Sequence, residues 1–263
     1  MLKRASCILL LAGLVPACNG EDLDARSRFI EDTVGKEADG GWDGEAIVVD
    51  VAAAGVGGIE VRAAAETTKV LATATFIAVA DTFDKANADR SIAAAKATFG
   101  VTTDGGVTSV TCPNGTDNGS SKGTDSGCEK LVVSIPLGTQ EKPLNLTVRA
   151  PRGALIVSTA SAWIAQADLV VVDGDIDSAF LANKGAKVSL TSQSGGTVTT
   201  RLAQNFAADK ITLDAALGAI DTAAVPGIVS GQGRGAPGEG FSSLVLTSTP
   251  KDGRGGRILV LSQ

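Results

Sequence analysis

The chain has 263 residues, 44% hydrophobic and 20% charged, with a formal net charge of −6. That balance suits a packed core and argues against general disorder, and an acidic excess without a basic stripe excludes nucleic acid as an expected partner. There is no histidine or tyrosine and the only methionine is Met1, which removes Ser-His-Asp and Cys-His nucleophilic sites, histidine-containing zinc sites and haem ligation by histidine.

Residues 1–17 have the layout of a secretory signal peptide. Lys3 and Arg4 give a basic start, an apolar run extends from Ala5 to Val15, and small residues close it just before Cys18. The run is too short to span a bilayer, which takes roughly 20 residues. Val15-Pro16-Ala17-Cys18 resembles a bacterial lipobox, with Pro16 as its one departure. The resemblance implies lipidation of Cys18, palmitate-type acyl chains at a new N-terminus, and a membrane as partner through that anchor. By resemblance to lipoproteins of Gram-negative bacteria, Asn19 implies export to the outer membrane. The alternative is plain secretion after cleavage at Ala17 or Gly20. Cysteine parity favours the lipid: Cys7 leaves with the leader and Cys18 is acylated, so Cys112 and Cys128 remain as an even pair in an oxidising compartment.

Residues 18–41 form an acidic tether carrying Glu21, Asp22, Asp24, Glu31, Asp32, Glu37 and Asp39, in which Phe29, Ile30 and Val34 offer a short docked helix. A β-rich domain follows over 42–263. Its first part, 42–143, opens with strand-like runs at 46–51, 59–63 and 69–80, rich in Val, Ile and Thr. An accessory α-helix is expected over 81–98: Ala88, Ile92, Ala95 and Phe99 share one face, and Lys85 and Asp89 form an i,i+4 pair. Strands resume at 100–111 and 129–136, joined by a polar loop whose ends are Cys112 and Cys128. A disulfide there would staple neighbouring strands; a metal thiolate pair is the alternative, weakened by the lack of further ligands.

From residue 144 the fold class read from the sequence is mainly β, as a solenoid-like stack of short strands. Apolar runs recur at 144–149, 154–158, 168–172, 187–190, 210–213, 243–246 and 257–261. Ile176, Val198 and Ile220 mark further runs 22 residues apart, the period of a stacked β-solenoid. The alternative is an antiparallel sandwich with irregular hairpins. Three segments carry a family resemblance: Leu144 to Thr159 (with Val148, Pro151 and Gly153), Val170 to Asp177, and Val188 to Val198. They resemble the putative-adhesin β-solenoid family of bacterial envelope proteins, whose pattern is V-x-V-P-x-G-x-x-V-x-T followed by G-x-I-x-V turns. The resemblance covers about residues 130–263 and implies a solenoid fold in an envelope protein.

Few residues point to chemistry. Asp173, Asp175 and Asp177, read as one strand face, make a weak calcium candidate; an exposed solubilising face is the alternative. The run 233–238 fits G-x-G-x-x-G, yet no crossover helix follows and it reads as a flexible surface loop. Residues 251–257 read as a basic hairpin-like turn. Trp42 and Trp163 could stack on sugars, but core packing is the better reading in a chain with 3% aromatics. The expectation is a non-enzymatic, lipid-anchored envelope protein without a cofactor: an adhesin-like scaffold or interaction module with an envelope protein or glycan as partner. A polysaccharide-active or calcium-dependent polysaccharide-binding β-helix protein is the alternative.

Overall fold

Alternation with a period of two sets the architecture, because successive side chains of a strand point to opposite faces. The computed structural model describes residues 27–31, 40–42, 46–51, 58–80, 85–112, 124–181, 183–253 and 255–263. The leader, Cys18 and much of the acidic tether lie outside them. In chain order the elements begin with β1 (Ser27–Glu31), β2 (Gly40–Gly41), β3 (Ala46–Val51), β4 (Ile59–Ala63) and β5 (Lys69–Ala80). Then come α1 (Lys85–Thr98), β6 (Gly100–Asp104), β7 (Val107–Cys112) and β8 (Thr124–Ile135). The rest is β9 (Leu144–Arg152), β10 (Leu155–Thr159), β11 (Ile164–Asp173), β12 (Ile176–Phe180), β13 (Lys187–Ser192) and β14 (Thr197–Leu202), followed by β15 (Ile211–Asp214), β16 (Ala219–Asp221), β17 (Ser243–Ser248) and β18 (Arg257–Ser262).

These strands form two large mixed sheets. The ten-stranded one runs β1-β5-β8-β4-β10-β12-β14-β18-β16 with β2 also on β5; the eight-stranded one runs β15-β17-β13-β11-β9-β3-β7-β6. From β9 onward successive strands alternate between the sheets, and the pairings among them are parallel. An antiparallel sandwich therefore does not describe residues 144–263. We call two successive strands, one in each sheet, a tier.

In-register parallel pairing places like residues side by side. Leu131, Ile59, Leu155, Ile176, Val198 and Ile258 form one continuous inward row. Val110, Val49, Val148, Leu169, Leu190, Leu246 and Leu213 face them from the other sheet. All are buried, and burying each such side chain contributes roughly 1.5–3 kcal/mol. The 22-residue spacing holds for Ile176 and Val198, which are paired. It does not make Ile220 the next rung. Both Val198 and Ile220 pair with Ile258, because β17 and β18 lie between tier β13/β14 and tier β15/β16. At the other end β3 and β4 likewise lie between β7/β8 and β9/β10.

The corner leading from the eight-stranded to the ten-stranded sheet is built from glycine. Gly153, Gly174, Gly196, Gly218 and Gly256 stand two residues before Leu155, Ile176, Val198, Ile220 and Ile258, respectively. A Cβ on Gly174 would lie closer than 3.0 Å to Gly153 O; on Gly196, to Gly174 O; on Gly218, to Gly256 O. Gly256 would meet the Ser248 hydroxyl. Two buried serines tie the corner across tiers: Ser192 donates to Gly174 O at 2.8 Å and Ser248 to Gly196 O at 2.6 Å.

Helix α1 closes one end. Ala88, Ile92, Ala95 and Phe99 are all buried, as the helical spacing requires, and Phe99 meets Phe76 of β5 edge-on at 5.6 Å. Lys85 and Asp89 pair at 2.7 Å on the exposed side. Residues 81–84, the expected helix start, lie outside the described residues. Within the expected tether, Ser27–Glu31 is a strand antiparallel to β5 rather than a docked helix. Cys112 and Cys128 form the disulfide. Its geometry differs from the expected staple between neighbouring strands, since β7 and β8 belong to different sheets and the bond crosses the core between them.

Two stability predictions follow from this packing. Gly196→Ala should lower unfolding stability by about 2–3 kcal/mol, since the clash is with backbone that cannot yield. Gly100→Ala, with nothing within 4 Å of its Cβ position, should change it by less than about 0.5 kcal/mol; urea denaturation of both variants checks this. Replacing Cys112 and Cys128 by Ala should cost about 3 kcal/mol, read from the same curves with and without reductant.

Candidate functional site

Beside the C-terminal ends of β4 and β8 the connecting segments border an open cleft of about 650 Å³. Trp42 lines it from the segment before β3, Thr67 and Thr68 from the β4–β5 turn, and Pro136 to Thr139 with Lys142 from the β8–β9 connection. Its walls are held by internal hydrogen bonds. Ala64 N–H donates to Ile135 O at 2.9 Å, and the Thr67 hydroxyl donates to Lys69 O at 2.7 Å while accepting Lys69 N–H. Thr139 N–H donates to Lys142 O and Lys142 N–H to the Thr139 hydroxyl, both at 3.0 Å, closing a short turn. Gly138 has φ +64° and presses toward Leu144 and Trp163 O, a left-handed position that glycine adopts without strain. Trp163 N–H donates to Leu137 O and Leu144 N–H to Trp163 O.

The resulting surface is amphipathic. Trp42 is half-buried and packs against the core; Pro136 and Leu137 continue the apolar floor, while Thr68, Thr139 and Lys142 are exposed at the rim. Among the described residues, Lys142 is the one ionisable side chain of the lining. The sequence reading missed Thr68, Thr139 and Lys142. Turn chemistry around Gly138 and Pro143 marks where a loop falls, but nothing local says which indole it will face.

The three aspartates do not share a strand face. Asp173 ends β11 in one sheet, Gly174 turns the corner, and Asp177 lies on β12 in the other sheet. Each carboxylate meets a different partner. Asp175 Oδ1 accepts Thr197 N–H at 2.6 Å, Asp177 pairs with Arg201, and Asp173 lies 4.0 Å from Lys251 Nζ. Among the described residues no group of three or more acidic or cysteine side chains is placed to hold a metal.

The 233–238 run is an ordered cap rather than a flexible loop. Arg234 exchanges backbone hydrogen bonds with Ala208 at 2.8 Å each way. Its guanidinium lies 4.6 Å over the Phe206 ring and donates to the carbonyls of Gln204, Phe206 and Pro226. Ser230, Gly231 and Gln232 bond to Ile211 and Leu213, covering the outer edge of β15. In the 251–257 turn, Lys251 faces Asp173 and Arg257 lies 3.6 Å from Asp221.

No family model matches the chain, and no curated protein does. Among solved structures it is similar to a protein of Clostridium sporogenes ATCC 15579 described as a putative cell adhesion protein. The likeness has a TM-score of 0.54 at 11% sequence identity and covers 90% of this chain and 100% of the other. The two proteins share a fold.

Arg234→Ala should remove the centre of the cap and cost about 2 kcal/mol, because it takes the donor from the part-buried Phe206 carbonyl and strips the Phe206 ring of its guanidinium cover. Limited proteolysis should then cut first within residues 203–242, and Arg234→Lys should be only partly protected because it lacks the planar fork.

Proposed function

We propose that this chain is an exported, lipid-anchored cell-envelope protein whose β-solenoid body serves as an adhesin-like scaffold or interaction module without enzymatic activity. The observation that carries the reading is the stack of tiers. Each tier can bury its inner apolar row only against its neighbours, which is the defining property of a repeat stack. Such a body presents long regular outer faces; one row runs Ser109, Val48, Thr147, Asp168, Ser189, Val245 and Thr212, all partly exposed. The Clostridium neighbour's description as a putative cell adhesion protein agrees in kind with this role. The sequence supplies the address: a leader at 1–17, Cys18 as acyl acceptor and Asn19 for the outer membrane. Several acyl chains on one cysteine give stable anchoring where a single chain is marginal. Asp173, Asp175 and Asp177, which the competing polysaccharide-active reading would use, meet Lys251 Nζ, Thr197 N–H and Arg201 respectively.

The test is metabolic labelling in a Gram-negative host with palmitate. The wild-type chain should carry label and sediment with membranes, and Cys18→Ser should lose both. Unlabelled, unprocessed wild-type protein in the cytosol would overturn the reading.

A further inference from the structure

The Trp42–Lys142 cleft belongs to none of the elements that hold the tiers together. We propose that it is a binding site for an acidic pyranose, a uronic or sialic acid unit of a surface glycan. The inference rests on the interaction-module reading and gives it a ligand class.

Three features select that chemistry. First, Trp42, Pro136 and Leu137 give the lining an aromatic and aliphatic part, the chemistry that packs on the C–H face of a sugar ring. Second, hydroxyl groups stand at the rim. Thr67 is already committed to Lys69 through both its donor and its acceptor. Thr68 is exposed, and Thr139 accepts Lys142 N–H but keeps its own O–H to donate. Third, Lys142 brings a positive charge to a chain of net charge −6, and its ammonium makes no ion pair with any described residue. A ligand carboxylate would supply the missing partner and form a charge-assisted hydrogen bond.

The same geometry disfavours an extended peptide. Strand addition needs a row of open backbone groups, and here Ala64 N–H, Thr67 N–H, Thr139 N–H, Leu137 O and Lys142 O are all engaged internally. Recognition therefore falls to side chains, and side chains of this mixture match a compact ligand that is apolar on one face and polar at its edge. The wall is also pre-formed: the Thr139–Lys142 turn and the Trp163 hydrogen bonds fix the rim before any ligand arrives, which lowers the ordering cost of binding.

The test uses the two tryptophans. Trp163→Phe leaves Trp42 as sole emitter, and calorimetry on the unmodified chain gives an independent reading if that variant folds poorly. The probes are glucuronic, galacturonic and N-acetylneuraminic acid, each at up to ~20 mM, against glucose, galactose and N-acetylglucosamine. At least one acidic sugar should bind saturably with a Kd of ~5 mM or below, and at least roughly tenfold more tightly than the neutral sugars. Lys142→Gln, an exposed substitution, should abolish that difference. No saturable response to any acidic sugar, equal affinity for acidic and neutral sugars, or a preference surviving in Lys142→Gln would each overturn the proposal. The assay is independent of acylation. Lost sugar binding with intact labelling at Cys18 removes this site alone, and the converse removes the anchor alone.

Discussion

The tiers stack through a contact that tolerates no side chain. At the corners after β11, β13, β15 and β17, a backbone oxygen or a serine hydroxyl occupies the place where a Cβ would stand at Gly174, Gly196, Gly218 and Gly256. Parallel strands lie about 4.8 Å apart, so a corner that bulged by even a methyl group would pull the following strand out of register. Everything inward depends on that register. It makes Leu155, Ile176, Val198 and Ile258 neighbours in one row. It also brings Ser192 and Ser248 onto the carbonyls of the adjoining tier. Buried hydroxyls are costly without partners; here they lock the corner because the glycines let the backbones approach.

A stack of tiers leaves two ends, and open ends invite uncontrolled pairing. Neither end is finished by the C-terminal strands β17 and β18. At one end the antiparallel strands β5 and β1 extend the ten-stranded sheet, and α1 packs its alanine-rich face on β5 and β8. The Cys112–Cys128 bond joins the two sheets in that outermost tier, where fewer neighbours share the load. At the other end Arg234 ties residues 204–208 and Pro226 together beside tier β15/β16. The C-terminal strands lie one tier inside, and the Gln263 amide donates to Phe180 O at 2.9 Å and Arg201 O at 3.0 Å.

A rigid stack of this kind puts variety into its connections. The cleft at Trp42 is formed where three connecting segments meet beside stiff strand ends, the usual relation between a scaffold and a recognition surface. Its rim turn is closed by one side chain to backbone bond, Lys142 N–H to Thr139, and by a glycine at positive φ. Small local constraints thus hold the side chains that face outward.

Much of the local structure was legible in the sequence. The runs 46–51, 59–63 and 69–80 are strands with those limits, because alternating Val, Ile and Thr suit a pleated surface whatever they pair with. The helix face of Ala88, Ile92, Ala95 and Phe99 is buried as its spacing required. Two cysteines at the ends of one polar loop marked the Cys112–Cys128 disulfide. Misread were the segment 27–31, whose short apolar stretch suits strand as well as helix, and the aspartates, where a single glycine divides what looks like one strand into two sheets. The spacing of two between corner glycine and apolar residue was also present at Gly153, Gly174, Gly196, Gly218 and Gly256, but it shows as a repeat only once the strands are placed.

Composition, periodicity and cysteine count thus determined by themselves that the chain is mainly β, where most strands lie, and that one helix breaks them. The order of the tiers was decided only in three dimensions. Rows of Val, Leu and Ile are nearly interchangeable as partners, so Val198 pairs as well with Ile258, 60 residues away, as with Ile220, 22 away. What discriminates is non-local: the closing of the ends, the fit of glycine against a distant carbonyl, and the Arg234 cap that holds the last tier in place.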